Sequence, residues 1–372
     1  MKDVLELITT IMIWLYASVL LYAVIGFIKT RTFKSNPKHK NFTKTSIIIC
    51  ARNEEVNIER CLTSIMEQSF DFSLVELILI DDASSDRTVF IAENILKSSK
   101  LKYRIISNTE KTGKKKSITK AINLCSGDLI ITRDADTFTQ SNLWLKTIVD
   151  FHEVSKKEFI IAPVNFQTKN NLLGQLQYFE NAALTIISGG YSFFGKPFLC
   201  NGANLAFTKS VFNKINGYKK HENIASGDDV LFLEDVKAVD SQLVAYLKQN
   251  DAIVYTYPLN NIGELLSQKI RWTSKIGQNP NKFNHFLGFL VLFVHFWSIL
   301  IVFLHFSTLH MEAIAVIFIF SRLLIDFLLL FLASRYFRVS VNWLWFLPCA
   351  LVYSIYTVVT AVLSFIIKPN WK

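Results

Sequence analysis

Four stretches of this chain are apolar for long enough to cross about 30 Å of hydrocarbon as helices, and they stand at its two ends. The first runs from Val4 to Ile28 with one charge, Glu6; the others lie at about Phe286 to Phe306, Ala313 to Ala333 and Trp343 to Ile367. Between them Ser46 to Asn281 is rich in Asp, Glu, Lys and Asn, so the 31 phenylalanines and the positive mean hydropathy of +0.30 belong to the ends. The expected organisation is a membrane helix within 1–30, one domain over 46–281 and three membrane helices over 286–367.

Charge positions orient this arrangement. Lys29, Arg31, Lys34, Lys38 and Lys40 follow the first apolar run, which places its end and the following domain on the cytoplasmic side. Arg335 and Arg338 mark a second cytoplasmic loop, and the short turn Ser307 to Glu312 would face outside. The charges follow the first run rather than precede it and no A-x-A-like site is present, which argues against a cleaved signal peptide. Arg322 and Asp326, four apart in the third span, can offset each other's burial; a structural ion pair is expected in preference to a transport role. The net charge of +10 suits nucleic acid, anionic lipid or a phosphorylated substrate and does not choose among them. Five scattered cysteines without a CxxC pair argue against a disulfide framework and a zinc site.

From residue 46 to 165, short β-branched runs alternate with amphipathic segments, the pattern of an α/β domain with a parallel-dominated sheet. Four strands are expected, at Ser46 to Cys50, Val75 to Ile80, Tyr103 to Ser107 and Asp128 to Thr132. Helical stripes follow the first two: Ile58, Cys61, Leu62, Ile65 and Met66, then Thr88, Ile91, Ala92, Ile95 and Leu96. In an open α/β sheet ligands bind beyond the carboxyl ends of the strands. Those ends here read Ala51-Arg-Asn-Glu54-Glu, Asp81-Asp82-Ala-Ser-Ser-Asp86 and Asp134-Ala-Asp136. No GxGxxG follows the first strand, which speaks against a dinucleotide-binding dehydrogenase.

Asp134 and Asp136 can both approach one hard cation, with Mg²⁺ or Mn²⁺ natural for oxygen ligands shared with phosphate; the alternative is a solvated acidic turn. Asp82 taken alone reads better as a turn or N-cap residue, since Asp82-Ala-Ser-Ser-Asp86 also reads as a loop opening a helix. Thr112-Gly113-Lys114-Lys115-Lys116 before a helical stripe makes an anion-friendly corner, although Lys115 and Lys116 read better as solvated charge.

Taken in order, Ala51-Arg-Asn-Glu-Glu, Asp81-Asp-Ala-Ser-Ser-Asp, Gly113-Lys114, Asp134-Ala-Asp136, Gly227-Asp-Asp229 and Gln268-Lys-Ile-Arg271-Trp272 resemble the membrane-bound family 2 glycosyltransferases over about Ser46 to Lys275. The resemblance implies a GT-A fold, an inverting mechanism and usually a UDP-sugar donor. It further implies that Ala51, Glu54 and Asp82 hold base and ribose, that Lys114 assists at the nucleotide, and that Asp134 and Asp136 hold the diphosphate through the metal. Two positions depart from the family pattern: Cys50 stands where proline often precedes the first motif, and Gly-Asp-Asp replaces a pair in which glutamate precedes the catalytic aspartate. Alignment of the final acid makes Asp229 the expected base, with Asp228 orienting it or the acceptor. Asn201-Gly-Ala-Asn204 and Gly217-Tyr218 look like the acceptor-side segment, where a tight turn approaches the donor sugar.

Single displacement at an anomeric carbon needs a base, a stabilised leaving diphosphate and fixed geometry. Arg271 is expected to grip phosphate oxygens with two donors. Gln268, Arg271 and Trp272, at i, i+3 and i+4, share one helical face and can close over the site together; the alternative is an interfacial Trp/Arg belt. The expected partners are a nucleotide-sugar, a membrane and a lipid or glycan acceptor, with no nucleic acid. Processive polymer synthesis is the main alternative, and four spans look thin for a polymer channel. A transporter would want more helices, and a silent scaffold would not need the carboxylates.

Overall fold

A computed structural model of the protein describes residues 2–36, 38–222, 228–274, 280–306 and 312–367. In chain order the elements begin with α1 (Lys2–Lys29), β1 (Thr45–Ala51), α2 (Ile58–Met66), β2 (Val75–Asp81), α3 (Thr88–Leu96), β3 (Lys102–Ser107), α4 (Lys114–Leu124) and β4 (Leu129–Asp134). There follow β5 (Thr137–Thr139), α5 (Trp144–Ser155), β6 (Phe159–Ile161), β7 (Val164–Phe166), α6 (Leu172–Phe193), β8 (Leu205–Thr208), α7 (Lys209–Lys214) and α8 (Asp228–Val239). The last are β9 (Val244–Tyr246), β10 (Val254–Thr256), α9 (Ile262–Thr273), α10 (Lys282–Leu304), α11 (Glu312–Phe337) and α12 (Phe346–Ile366). They form two units. Residues 30–167 and 192–257 make an α/β unit, and α1, α6 and α9 to α12 make a helical one. Within the expected 46–281 domain, α6 and α9 group with the helical unit, α9 being the segment expected as an interface helix.

In the α/β unit the expected strands form within one or two residues of their anticipated bounds. The seven-stranded sheet has the order β3-β2-β1-β4-β8-β6-β9. β3, β2, β1 and β4 run parallel, β8 is antiparallel to β4 and β6, and β9 is parallel to β6. A parallel sheet covered on both faces wants continuous apolar strands, and every residue of β2 is buried. Ile47, Ile49, Leu77, Leu79, Leu129 and Ile131 pack on one face with Leu62 and Ile65 of α2 and Trp144 and Ile148 of α5. α4 packs on β1 and β2. A second sheet, β5-β10-β7, is built from strands of three residues each.

In the helical unit α1, α10, α11 and α12 are long and apolar enough to cross a membrane. Ser307–Met311 of the expected outer turn lie outside the described residues. The expected ion pair forms, with Arg322 Nε donating to Asp326 at 3.3 Å. Arg322 also donates to Ser298, Ser354 and the Ala350 carbonyl, and Tyr16 donates to Asp326 at 2.6 Å. The pair's hydrogen bonds thus reach α1 through Asp326 and α10 and α12 through Arg322, as a structural role requires. A Cβ on Gly190 of α6 would come within 1.9 Å of the Ala23 carbonyl of α1, so only glycine permits that crossing.

Candidate active site

The acidic turn after β4 is braced from behind. Asp134 ends the strand, and Thr137 Oγ1 donates to its carbonyl at 2.6 Å. Buried Arg133 donates to Thr137 Oγ1 and lies 4.8 Å over the Trp144 ring. This bracing leaves Asp136 exposed while the Asp134 carboxylate meets Lys114 Nζ at 2.5 Å. Protein crowded around Asp136, and then the charge of Asp134, push its carboxyl up to about 6.

Lys114 starts α4, directly after Gly113, whose φ of +88° suits a residue without Cβ. Burial alone would lower its pKa, but the charges of Asp134, Asp228 and Asp229 outweigh that and raise it. The Gly113 corner is held by Asp82, which is 4% exposed. Asp82 Oδ1 accepts from Thr112 N, Thr112 Oγ1 and Asn108 Nδ2 at 2.8, 2.9 and 3.0 Å. Its Oδ2 accepts from Gly113 N at 2.9 Å and keeps one acceptor position open. Asp82 is therefore not a helix N-cap; it fixes the turn that presents Lys114.

The loops after β1 and β2 clasp each other. Asn53 N donates to Ser84 Oγ, Ser85 N to Asn53 Oδ1, and Glu55 N to Asp86. Asn53 and Ala83 take positive φ, 54° and 60°, an unusual conformation for Ala in particular and one found at ligand sites. Ala51 is buried, and its carbonyl accepts from Asp82 N. Glu54 accepts from Asn57 Nδ2 at 2.8 Å. Burial, opposed by that bond and reinforced by Asp136, Asp134 and Asp86, brings the Glu54 carboxyl up to about 7.

On the other side of Lys114 stands Asp229, in the first turn of α8, where a helix N-terminus favours negative charge. Its Oδ2 accepts from Gly202 N and its Oδ1 from Val230 N, both at 2.9 Å. Burial and then Asp228 raise its pKa, against the Gly202 N–H and Lys114. A Cβ on Gly202 would lie 3.5 Å from Lys114 Nζ and 3.7 Å from Asp229 Cβ, so bare backbone faces both groups. Gly227 lies outside the described residues.

Two expectations need correction. Asn204 does not face an acceptor: it is wholly buried, donating to the Pro163 and Ala252 carbonyls and accepting from Trp144 Nε1. Both amide hydrogens and the amide oxygen are thus bound to the protein itself, so Asn204 supports the Asn201–Asn204 turn, while the Gly202 N–H faces Asp229. Lys115 is not simply solvated, because its Nζ donates to the His221 carbonyl at 2.7 Å. Sequence reasoning missed Gly202 N–H as the partner of Asp229, although the turn containing it was singled out.

Gln268, Arg271 and Trp272 lie on α9 of the helical unit. Between them, buried Lys269 pairs with Glu180 of α6 at 2.5 Å and sits 4.3 Å from the Trp272 ring centroid. Among the described residues no group of three His, Cys, Asp or Glu side chains gathers as a self-sufficient metal site.

Residues 46–215 match the profile of Glycosyl transferase family 2. A poly-β-1,6-N-acetyl-D-glucosamine synthase of Staphylococcus epidermidis is 24% identical over 262 residues, 68% of this chain and 61% of that protein. The chain thus spans about three fifths of that relative's length. A β-monoglucosyldiacylglycerol synthase of Trichormus variabilis is 28% identical over 134 residues, 34% of this chain and 29% of that one. The fold is also that of a mannosyltransferase, PcManGT from Pyrobaculum calidifontis, solved with GDP-Man and Mn²⁺: TM-score 0.66 and 15% identity, covering 98% of this chain and 99% of that one. The strand order, the acidic turn after β4 and the profile match agree: residues 46–215 are similar to glycosyl transferase family 2, and the fold is GT-A.

Proposed function

We propose that this chain moves a sugar from a nucleotide-sugar, in keeping with the family it resembles a UDP-sugar, to a lipid or lipid-linked glycan at the cytoplasmic face of a membrane. The observation that carries this reading is the charged cluster in which Lys114 stands between Asp134 and the Asp228-Asp229 pair, with Gly202 backbone beside it. Asp229 takes the proton of the acceptor hydroxyl as that oxygen bonds to the anomeric carbon. The bond from that carbon to the diphosphate breaks with its electrons on the leaving group, inverting the centre. Lys114 offsets the charge that builds there.

Two carboxylates fit a divalent ion that completes its shell with donor phosphates and water, and the raised proton affinity of Asp136 marks a place where positive charge is wanted. Asp136 and Asp134 would hold Mg²⁺ or Mn²⁺, which supplies positive charge to the departing diphosphate. Ala51, Glu54 and Asp82 line the side proposed for base and ribose. Gln268, Arg271 and Trp272 remain in the proposal on their sequence pattern, and Asp228 as the group that orients the base or acceptor.

The four candidate membrane helices and the glycolipid synthase among the relatives support a lipid acceptor. The longer match to a polysaccharide synthase favours a second reading, processive polymer synthesis. Membranes from expressing cells, supplied with labelled UDP-glucose, UDP-galactose and UDP-N-acetylglucosamine and read by mass spectrometry, distinguish them. One or very few sugars per lipid is the expected product; a long polymer made by purified enzyme from donor alone would restore the synthase reading.

A further inference from the structure

Between the end of α1 and the start of β1 the chain carries Lys29, Arg31, Lys34, Lys38, Lys40 and Lys44 without one Asp or Glu. A row of like charges on a free linker would spread apart, but this segment is fastened to the α/β unit. Phe33 N donates to the Lys248 carbonyl, its own carbonyl accepts from Gln249 Nε2, and its ring meets Phe151 edge-on at 5.1 Å. Ser35 bonds to Asp150, and the His39 ring bonds to Glu153 at 2.7 Å. Asn41 Nδ2 donates to Asp150 and Glu153, and Glu153 Oε1 also accepts from Phe42 N, Thr43 N and Thr43 Oγ1.

These inward ties alternate with lysines that do not take part. Lys34, Lys38, Lys40 and Lys44 are exposed, and among the described residues their ammonium groups make no hydrogen bond or ion pair. Phe42, 78% exposed, stands between the last two. The fold thus fixes four free cations and an apolar ring in one outward row, at the cost of their mutual repulsion. The row is not part of the sugar-transfer cluster: it leads into the amino end of β1, about 20 Å along the strand from the carboxyl end where the acidic cluster lies. Chain reach from Lys29, the last residue of α1, holds Lys34 within about 17 Å and Lys44 within about 50 Å of that helix end.

We propose that residues 34–36 and 38–44 form a preorganised strap that docks on anionic phospholipid headgroups of the bilayer entered by α1. Basic side chains beside a membrane helix, interleaved with an exposed aromatic ring, match a negatively charged interface in both charge and polarity. This proposal does not depend on sugar transfer, so either can fail alone.

The test uses the full chain in detergent, titrated with phosphatidylglycerol or phosphatidylcholine of the same acyl chains and read by native mass spectrometry. Wild type should retain phosphatidylglycerol preferentially, and K34Q/K38Q/K40Q/K44Q should weaken that retention by about tenfold or more. Its melting temperature should not fall, because among the described residues the four ammonium groups have no partners and the substitutions only relieve their mutual repulsion. K34R/K38R/K40R/K44R should keep the preference, as should K97Q/K100Q/K102Q on the same unit. Equal retention of the two lipids by wild type, or undiminished phosphatidylglycerol retention by the glutamine variant, would overturn the proposal. So would binding of soluble polyphosphate at these lysines with no binding of phosphatidylglycerol.

Discussion

Replacing Asp229 by asparagine keeps the size of the side chain and removes its ability to accept a proton at neutral pH. In the structure one carboxylate oxygen receives the Gly202 N–H and the other the Val230 N–H, each at 2.9 Å. An amide can satisfy only one of them, so one hydrogen bond is lost, worth about 1 kcal/mol of stability. The larger effect is chemical: without the base, turnover should fall by ~10²- to 10⁴-fold while donor affinity stays nearly constant. Burial and Asp228 raise the Asp229 pKa, so activity in the wild type should rise with pH through a limb above the ordinary aspartate range of about 3.9. That limb should vanish in Asp229→Asn. Initial rates of labelled sugar transfer over a pH series, with donor affinity measured separately, provide the assay. Asp228→Asn should lose less. If Asp228→Asn abolishes turnover and Asp229→Asn is mild, Asp228 is the base; if both are mild, the proton goes elsewhere and the reasoning fails.

Asp136→Ala removes a carboxylate whose charge the fold disfavours, so the variant should melt no lower than wild type but bind UDP equally well with and without Mn²⁺; a Mn²⁺ dependence that survives in a titration would refute its role as metal ligand. Asp82→Asn sets an amide against the donors at 108–113, and thermal unfolding should show a loss of about 1 to 3 kcal/mol together with weaker donor binding. Glu153 is held at about 2: burial would raise its pKa, but the Phe42 and Thr43 donors outweigh that. Its folded pKa is depressed, so its contribution to stability is full above about pH 4.3 and is lost as pH falls towards 2. Melting curves of Glu153→Gln should be flatter than wild type across that window, and parallel curves would count against the strap being anchored there.

The first half of the α/β unit is legible in the sequence because its strands are β-branched runs of six or seven residues with stripes of helical period between them. The carboxylates at their ends could be picked out for the same reason. β5, β6, β7, β9 and β10 have three residues each, too few for a period, and the antiparallel insertion of β8 between β4 and β6 has no local signal. Asn204 is not legible in the sequence because a polar residue in a tight turn reads the same whether it meets a ligand or the protein. Its partners at Trp144, Pro163 and Ala252 come from three distant segments. Asp82 is similar, since the turn it holds lies 26 to 31 residues ahead. The basic residues after α1 were visible at once as a topology signal, but their alternation with inward ties depends on Asp150 and Glu153 of α5, more than 100 residues away.

The central claim is that the cluster formed by Asp134, Asp136, Lys114 and Asp229 transfers sugar to a membrane acceptor. The most direct measurement is incorporation of label from a panel of nucleotide-sugars into the lipid fraction by the purified full chain, with Mn²⁺ or with EDTA, beside Asp229→Asn. The account predicts incorporation from at least one donor with Mn²⁺, its loss with EDTA, and a fall of ~10²-fold or more in the variant. Incorporation at the wild-type rate by Asp229→Asn, or none from any donor with membrane lipids and Mn²⁺ present, would contradict it.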